Sequence, residues 1–183
     1  MPYPMKKFLW SLLEVGETVV IAVVAVFVVR TFIAQPFLVS GASMEQNFHD
    51  RDYLLVDELT YRIRPPERGE VVVFKWPGDH KSYYIKRIIG LPGERVVVDD
   101  GKVKVTDVEG ILRTLDESYL ATSFSGHTEA TLGAHQYFVM GDNRSFSYDS
   151  RNWGPVDRSE IVGLVRVRLW PLNQAMAFHP PRY

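Results

Sequence analysis

The sequence predicts a mostly β body carried on one N-terminal transmembrane helix, and three observations predict it. An apolar segment from Phe8 to Ala34 contains only Glu14, Glu17 and Arg30 as charges. Beyond Pro36 the chain changes to short runs of β-branched and aromatic residues separated by Gly, Pro, Asn and Asp. After residue 40 no amphipathic helical pattern is visible, and no repeat. The expected organisation is a cytoplasmic tip and anchor over 1–36, followed by a β-rich extracytoplasmic domain over 37–183, long enough to bury its own core.

The uninterrupted apolar run, Thr18 to Val29, is 12 residues long, and about 20 are needed to cross the hydrocarbon layer. Extending it to residue 34, with Arg30 reaching toward one headgroup layer, gives close to a full span. Glu14 and Glu17 then lie in the opposite interface, three residues apart on one helical side. A buried core helix and a cleaved signal peptide are the alternatives, but no clean small-x-small site follows the run. Lys6 and Lys7 on the short N-terminal side favour a cytoplasmic N-terminus.

Strands are expected at Tyr53–Val56, Val71–Phe74, Tyr83–Ile89, Val96–Val98, Val103–Val105, Tyr137–Met140 and Ile161–Leu169. Val71-Val72-Val73-Phe74 reads as a strand buried on both faces, whereas Val103 and Val105 alternate with Lys102 and Lys104. Asp99-Asp100-Gly101 between valine runs is a hairpin signal. The polar stretch from Asp107 to Gly133 reads as an irregular excursion with one short element at most.

Composition narrows the chemistry. With 21 basic and 22 acidic residues, scattered along the chain, no nucleic-acid surface is implied. The absence of cysteine excludes disulfides, a thiol nucleophile and cysteine-ligated metal. The five histidines show no metal-ligand spacing.

Two short blocks carry chemistry. Ser43 follows Gly41 and Ala42, small residues that permit a tight turn and close approach of a substrate; by itself such a serine is a common turn residue. Lys86 lies in a strand-like run, sharing a face with Tyr84 and Ile88 while Arg87 points the other way. A lysine among such neighbours loses hydration, which lowers its pKa from about 10.4, and only a neutral lysine can take a hydroxyl proton. Its bland alternative is a strand lysine reaching out to water. A third block, 141–151, is dense in polar groups: Ser147 can accept a hydrogen bond from the amine, and Asp142, Asp149, Arg144 and Arg151 can pair among themselves or with Arg87.

These blocks resemble those of the type I signal peptidases, membrane-bound serine proteases with a Ser-Lys dyad. The resemblance covers Ser43-Met44, Arg68 to Phe74, Lys86 to Glu94, Gly141-Asp142-Asn143-Arg144 with Ser147, Asp149, Ser150 and Arg151, then Gly163 and Trp170-Pro171. It implies Ser43 as nucleophile, Lys86 as general base and Ser147 steadying the amine. It also implies Asp142 pairing with Arg87, and Asp149 with Arg151. Exported preproteins and membrane phospholipid are the implied partners, without metal or cofactor, at a bacterial plasma membrane. Phe37, Leu38 and Val39, with Gly41, fit a strand edge where an extended substrate lies, and the family's substrates have small side chains one and three residues before the cut. Three positions depart from the pattern. Gln46 and Asn47 stand where Pro and Thr are common, Gly41 where some members place a serine as oxyanion donor, and Phe146 where a polar residue is frequent. The rival readings are a self-cleaving Ser-Lys repressor, which lacks its Ala-Gly site in this chain, and a catalytically inactive membrane-tethered peptide-binding homologue.

Overall fold

The computed structural model describes residues 3–32, 34–120, 124–181 and 183. Helix α1 runs from Tyr3 to Phe32, and its window Trp10–Phe27 has a mean hydropathy of 1.9 with none of it buried against the rest of the protein. Among the described residues it is the one helix long and apolar enough to cross a membrane. The side chains of Lys6 and Lys7, on which the expected orientation rests, and of Arg30 lie outside the described residues.

Strand β1 (Ala34–Leu38) follows almost at once, so the change from helix to strand falls ahead of the boundary expected after Pro36. Pro36 is tolerated because β1 is an edge strand, hydrogen-bonded only to β2 (Tyr53–Asp57). After the short helix α2 (Thr60–Ile63) come β3 (Val71–Lys75), β4 (Tyr83–Gly90), β5 (Arg95–Asp99) and β6 (Lys102–Thr106). The chain continues through β7 (Leu112–Thr114), β8 (His127–Thr131), β9 (Gln136–Met140), helix α3 (Ser150–Trp153), β10 (Val156–Asp157), β11 (Ile161–Trp170) and β12 (Met176–Ala177). The stretch 107–133 is therefore more ordered than its polar sequence implies. It contributes β7, whose side chains are exposed, and β8, whose half-buried Thr128 and Ala130 are too small or polar to mark a strand.

The strands form two antiparallel sheets. The larger has the order β1-β2-β11-β3-β4-β9-β10, with β12 added to β11; the smaller has the order β7-β6-β5-β8. Residues 71–74 are buried on both faces of the large sheet, as their unbroken apolar run requires. Val72, Phe74, Ile88 and Val139 pack on one face, while Val71 and Val73 join Val39, Met44, Phe48 and Leu54 on the other. A third apolar cluster joins Ile89, Phe138 and Met140 to Val96, Val98, Val103 and Val105 of the small sheet. The β5–β6 hairpin turns through Asp100 (φ +40°) and Gly101 (φ +80°), the pair of positive φ values that a two-residue turn of this hand needs.

Candidate active site

Ser43 sits on a loop fixed by apolar residues on both sides. Val39 before it and Met44 and Phe48 after it are buried, leaving residues 40–43 at the surface of the core. Gly41 takes φ +98°, and its N–H donates to Asp50 Oδ1 at 2.9 Å. The loop is tied to the turn after β9. Asn143 N–H donates to the Ser43 carbonyl at 3.1 Å, and Asn143 Nδ2 donates to the Ala42 carbonyl at 3.0 Å. Gly141 lets these two segments meet: a Cβ there would stand 2.3 Å from the Ser43 carbonyl oxygen and 2.2 Å from Ser147 Oγ.

Lys86 lies in the middle of β4, opposite Val72 of β3, and is 3 % exposed. Its Nζ stands 2.6 Å from Ser43 Oγ and 2.9 Å from the Ile85 carbonyl, with the Tyr84 ring centroid 5.6 Å away. Burial is the main influence on the amine and lowers its pKa to about 8, against the opposing pull of the Asp149 and Asp142 carboxylates; Arg151 adds to the lowering. A neutral fraction of roughly one in ten at pH 7 follows. The charged amine donates to Ser43 Oγ; once neutral, it presents a lone pair to the same hydroxyl.

The 141–151 block builds the frame around this pair. Asp142, fully buried, receives both Arg87 Nε at 2.8 Å and Arg87 Nη2 at 2.5 Å, the bidentate geometry that guanidinium favours. Asn47 Nδ2 donates to the same carboxylate at 2.8 Å, and Asp142 N–H points at Met44 Sδ at 3.3 Å. Asp149 caps α3, accepts from Gly141 N–H at 3.0 Å, and is gripped by Arg151 through Nε and Nη2, each at 2.8 Å. The two expected ion pairs are thus both formed, and each ties a backbone segment next to Ser43 or Lys86.

Ser147 differs from expectation. The amine's second hydrogen bond goes to Ile85 O, and Ser147 Oγ is buried without a hydrogen-bond partner among the described residues. The 3₁₀ turn Arg144–Phe146 delivers Ser147 in extended backbone, with its hydroxyl turned against Gly141. Gln46 also differs from the family pattern for a physical reason: its φ is +89°, which proline, locked near −65°, cannot adopt. Asn47 and Met44, through Asp142, hold this loop instead.

A groove of about 450 Å³ runs away from the dyad. Phe37, Leu38, Val39 and Gly41 line one wall, Tyr83, Tyr84 and Ile85 the other, and Leu54 and Val73 are buried beneath; Phe146 and Tyr148 project at the rim, both exposed. All four candidate substrate-binding residues therefore share one concavity with Ser43 and Lys86. The sequence gives no signal for Glu117, Tyr119 and Phe124, which reach this frame from the stretch 107–133. Glu117 pairs with the buried Arg144 through Nη1 at 2.8 Å and Nη2 at 2.5 Å, while the Tyr119 ring covers Arg87 and the Phe124 ring covers Arg144 and Arg151. Neighbouring charge offers no hint either, because the contacts span about 20 residues or more of chain.

Residues 12–170 match the family described as signal peptidase, peptidase S26. The chain is 41 % identical over 167 residues to a probable signal peptidase I-2 of Synechocystis sp., covering 87 % of this chain and 74 % of that protein. It is 35 % identical over 179 residues to a signal peptidase I of Leptolyngbya laminosa, covering 93 % and 85 %. Signal peptidase I S of Bacillus subtilis is 34 % identical over 177 residues, covering 90 % and 92 %. A crystal structure of an Enterococcus faecalis signal peptidase I superposes with TM-score 0.48 at 28 % identity, over 55 % of this chain and 97 % of that one. The chain is a peptidase of family S26. Within that family it groups with the signal peptidase I proteins, which are serine endopeptidases.

Proposed function

We propose that the protein removes N-terminal signal peptides from exported preproteins, cutting after a small-x-small motif with Ser43 as nucleophile and Lys86 as general base. The observation that carries this reading is the 2.6 Å separation of Lys86 Nζ and Ser43 Oγ, both of which line the groove. The neutral amine takes the Ser43 proton as Oγ attacks the scissile carbonyl. The ammonium so formed gives that proton to the leaving amine, and an acyl-serine ester remains. Lys86 then takes a proton from water as it attacks the ester, and returns it to Ser43. The Ser43 N–H donates to no described residue and is the oxyanion donor.

Extended peptide fits the groove by strand addition. Among the described residues the outer edge of β1 has no strand partner, and β4 pairs with β9 only from Arg87 onward. Buried Leu54 and Val73 leave only shallow pockets beneath the groove, which suits alanine-sized side chains. Helix α1 is the retained single-pass anchor in a bacterial plasma membrane, N-terminus cytoplasmic, with the β body outside against the phospholipid surface.

The test is cleavage of a purified preprotein in detergent and phospholipid by the wild type, Ser43→Ala and Lys86→Ala, with the cut site read by mass spectrometry. Cutting after a small-x-small motif by the wild type alone is the expected result. Binding without cutting by the wild type would leave the inactive peptide-binding homologue standing. Cleavage by either variant would overturn the residue assignment.

A further inference from the structure

Three buried or nearly buried arginines hold the frame of the site, and each meets an aromatic face from one segment. Arg87 Cζ lies 4.7 Å from the Tyr119 ring centroid. Arg144 and Arg151 both lie 5.4 Å from that of Phe124. Glu117, two residues before Tyr119, pairs with Arg144 through two hydrogen bonds. Tyr119 is held in turn by a hydroxyl contact of 2.8 Å to Tyr183. All three contact residues lie between β7 and β8, a segment that belongs to neither wall of the groove.

Such an arrangement has a physical purpose. A guanidinium held by a carboxylate on one edge retains freedom about that contact unless its flat face is also covered. Arg87 and Arg151 are the groups that fix Asp142 and Asp149. The Asp149 carboxylate accepts from the Gly141 backbone and the Asp142 carboxylate from Asn47, while the Asp142 backbone N–H points at Met44 Sδ, on the same side of the nucleophile loop. We infer that Glu117, Tyr119 and Phe124, between β7 and β8, form a positioning cover for the Ser43–Lys86 pair. In this role Tyr119 and Phe124 are positioning residues that act through the arginines without touching substrate.

The inference rests on the proposed peptidase reading, and its test separates the two. The full chain in detergent and phospholipid is assayed on a preprotein with Tyr119→Leu, Phe124→Leu, Tyr119→Phe and Phe124→Tyr. The leucine variants keep apolar bulk but remove the ring face. They are expected to lower kcat about tenfold, a loss equivalent to roughly 1.4 kcal/mol, with KM within about twofold because the groove is untouched. The aromatic exchanges restore kcat to within about threefold. The charged groups around the Lys86 amine are Asp142, Asp149 and Arg151, with Arg87 behind Asp142 and Tyr84 on its own strand. Loosened arginines leave the two carboxylates less neutralised, so the acid limb of kcat moves to higher pH in the leucine variants.

Leucine variants with wild-type kcat and an unmoved limb would overturn the inference. So would aromatic exchanges as damaging as leucine, or a rise in KM as large as the fall in kcat. Phe124 is only half-buried and lies in a loop, so Phe124→Leu decides the matter if Tyr119→Leu does not fold. A wild type that cleaves nothing would sink the peptidase reading, whereas leucine variants that cleave as the wild type does would sink only the positioning cover.

Discussion

The pH dependence of cleavage tests the base assignment directly. With the Lys86 pKa lowered to about 8, the active neutral form makes up roughly a tenth of the enzyme at pH 7 and roughly a hundredth at pH 6. An unshifted lysine would be neutral in only about one molecule in three thousand at pH 7. Burial is therefore worth a factor on the order of 300 in available base at that pH. The sign follows from which form reacts: kcat/KM rises with pH, about tenfold per unit below 8, and levels off above it. The assay is initial-rate cleavage of a preprotein in detergent and phospholipid, at constant ionic strength, from about pH 5.5 to 10, with melting followed in parallel so that unfolding is not read as titration. A limb centred near 8 with unit slope is expected. A limb centred below about 6.5, or activity still climbing tenfold per unit at pH 10, would refute the argument that burial sets this base.

Other consequences are sharp enough to measure. Lys86→Met removes a buried cation. Because the folded pKa lies below the unfolded one, the unfolded chain binds more protons between about pH 8 and 10.5, and below pH 8 the fold carries the full cost of the charge. The variant should thus be inactive yet more stable by something on the order of 3 kcal/mol at pH 7, a gain of several degrees in Tm. Asp142→Ala leaves Arg87 buried without its carboxylate and should destabilise by about 3–5 kcal/mol, seen as a fall in Tm near 10 °C. Gly141→Ala drives a methyl group into the Ser43 carbonyl and Ser147; cleavage should fall about a hundredfold, measured as kcat, because the nucleophile is displaced. Gln46→Pro imposes a φ near −65° where the loop needs +89°. A loss above about 1 kcal/mol by thermal melting is expected, together with reduced cleavage.

The parts of this fold that the sequence announces are those whose signal is local. The apolar run of α1, the Asp-Asp-Gly hairpin and the unbroken apolar stretch 71–74 each declare themselves within a few residues. The alternation of β4 places Lys86 and Tyr84 on one face, and the cation stands over that ring. β1 is hidden because Pro36 and the adjoining anchor mask it; only its pairing with β2 makes it a strand. β7 is hidden because its side chains are exposed, and β8 because its inward residues are only Thr128 and Ala130; their pairing with β6 and β5 makes them strands. At the site, both ion pairs of the 141–151 block and the Ser43–Lys86 contact are pairings that the residue types leave open among others and that the family resemblance names. The orientation of the Ser147 hydroxyl differs from what that resemblance names, because it depends on how a three-residue 3₁₀ turn packs against Gly141. Tyr119 and Phe124 were out of reach for a different reason: an aromatic residue in a polar stretch does not say which distant arginine it covers.

The near-continuous passage from α1 into β1 has a geometric consequence. Helix α1 ends at Phe32 and β1 begins at Ala34, so the long apolar helix and a strand that lines the groove are two residues apart in the chain. From Ala34 to Leu38 the strand rises only about 13 Å. On the reading proposed above, with α1 in the bilayer, that rise bounds the reach from the end of α1 to the start of the nucleophile loop at about one strand length. A preprotein held in the same membrane by its own apolar run would then present to Ser43 the bond at the matching height. On that reading the distance between that run and the cut would be measured by the enzyme's own stalk, before any side-chain pocket is consulted.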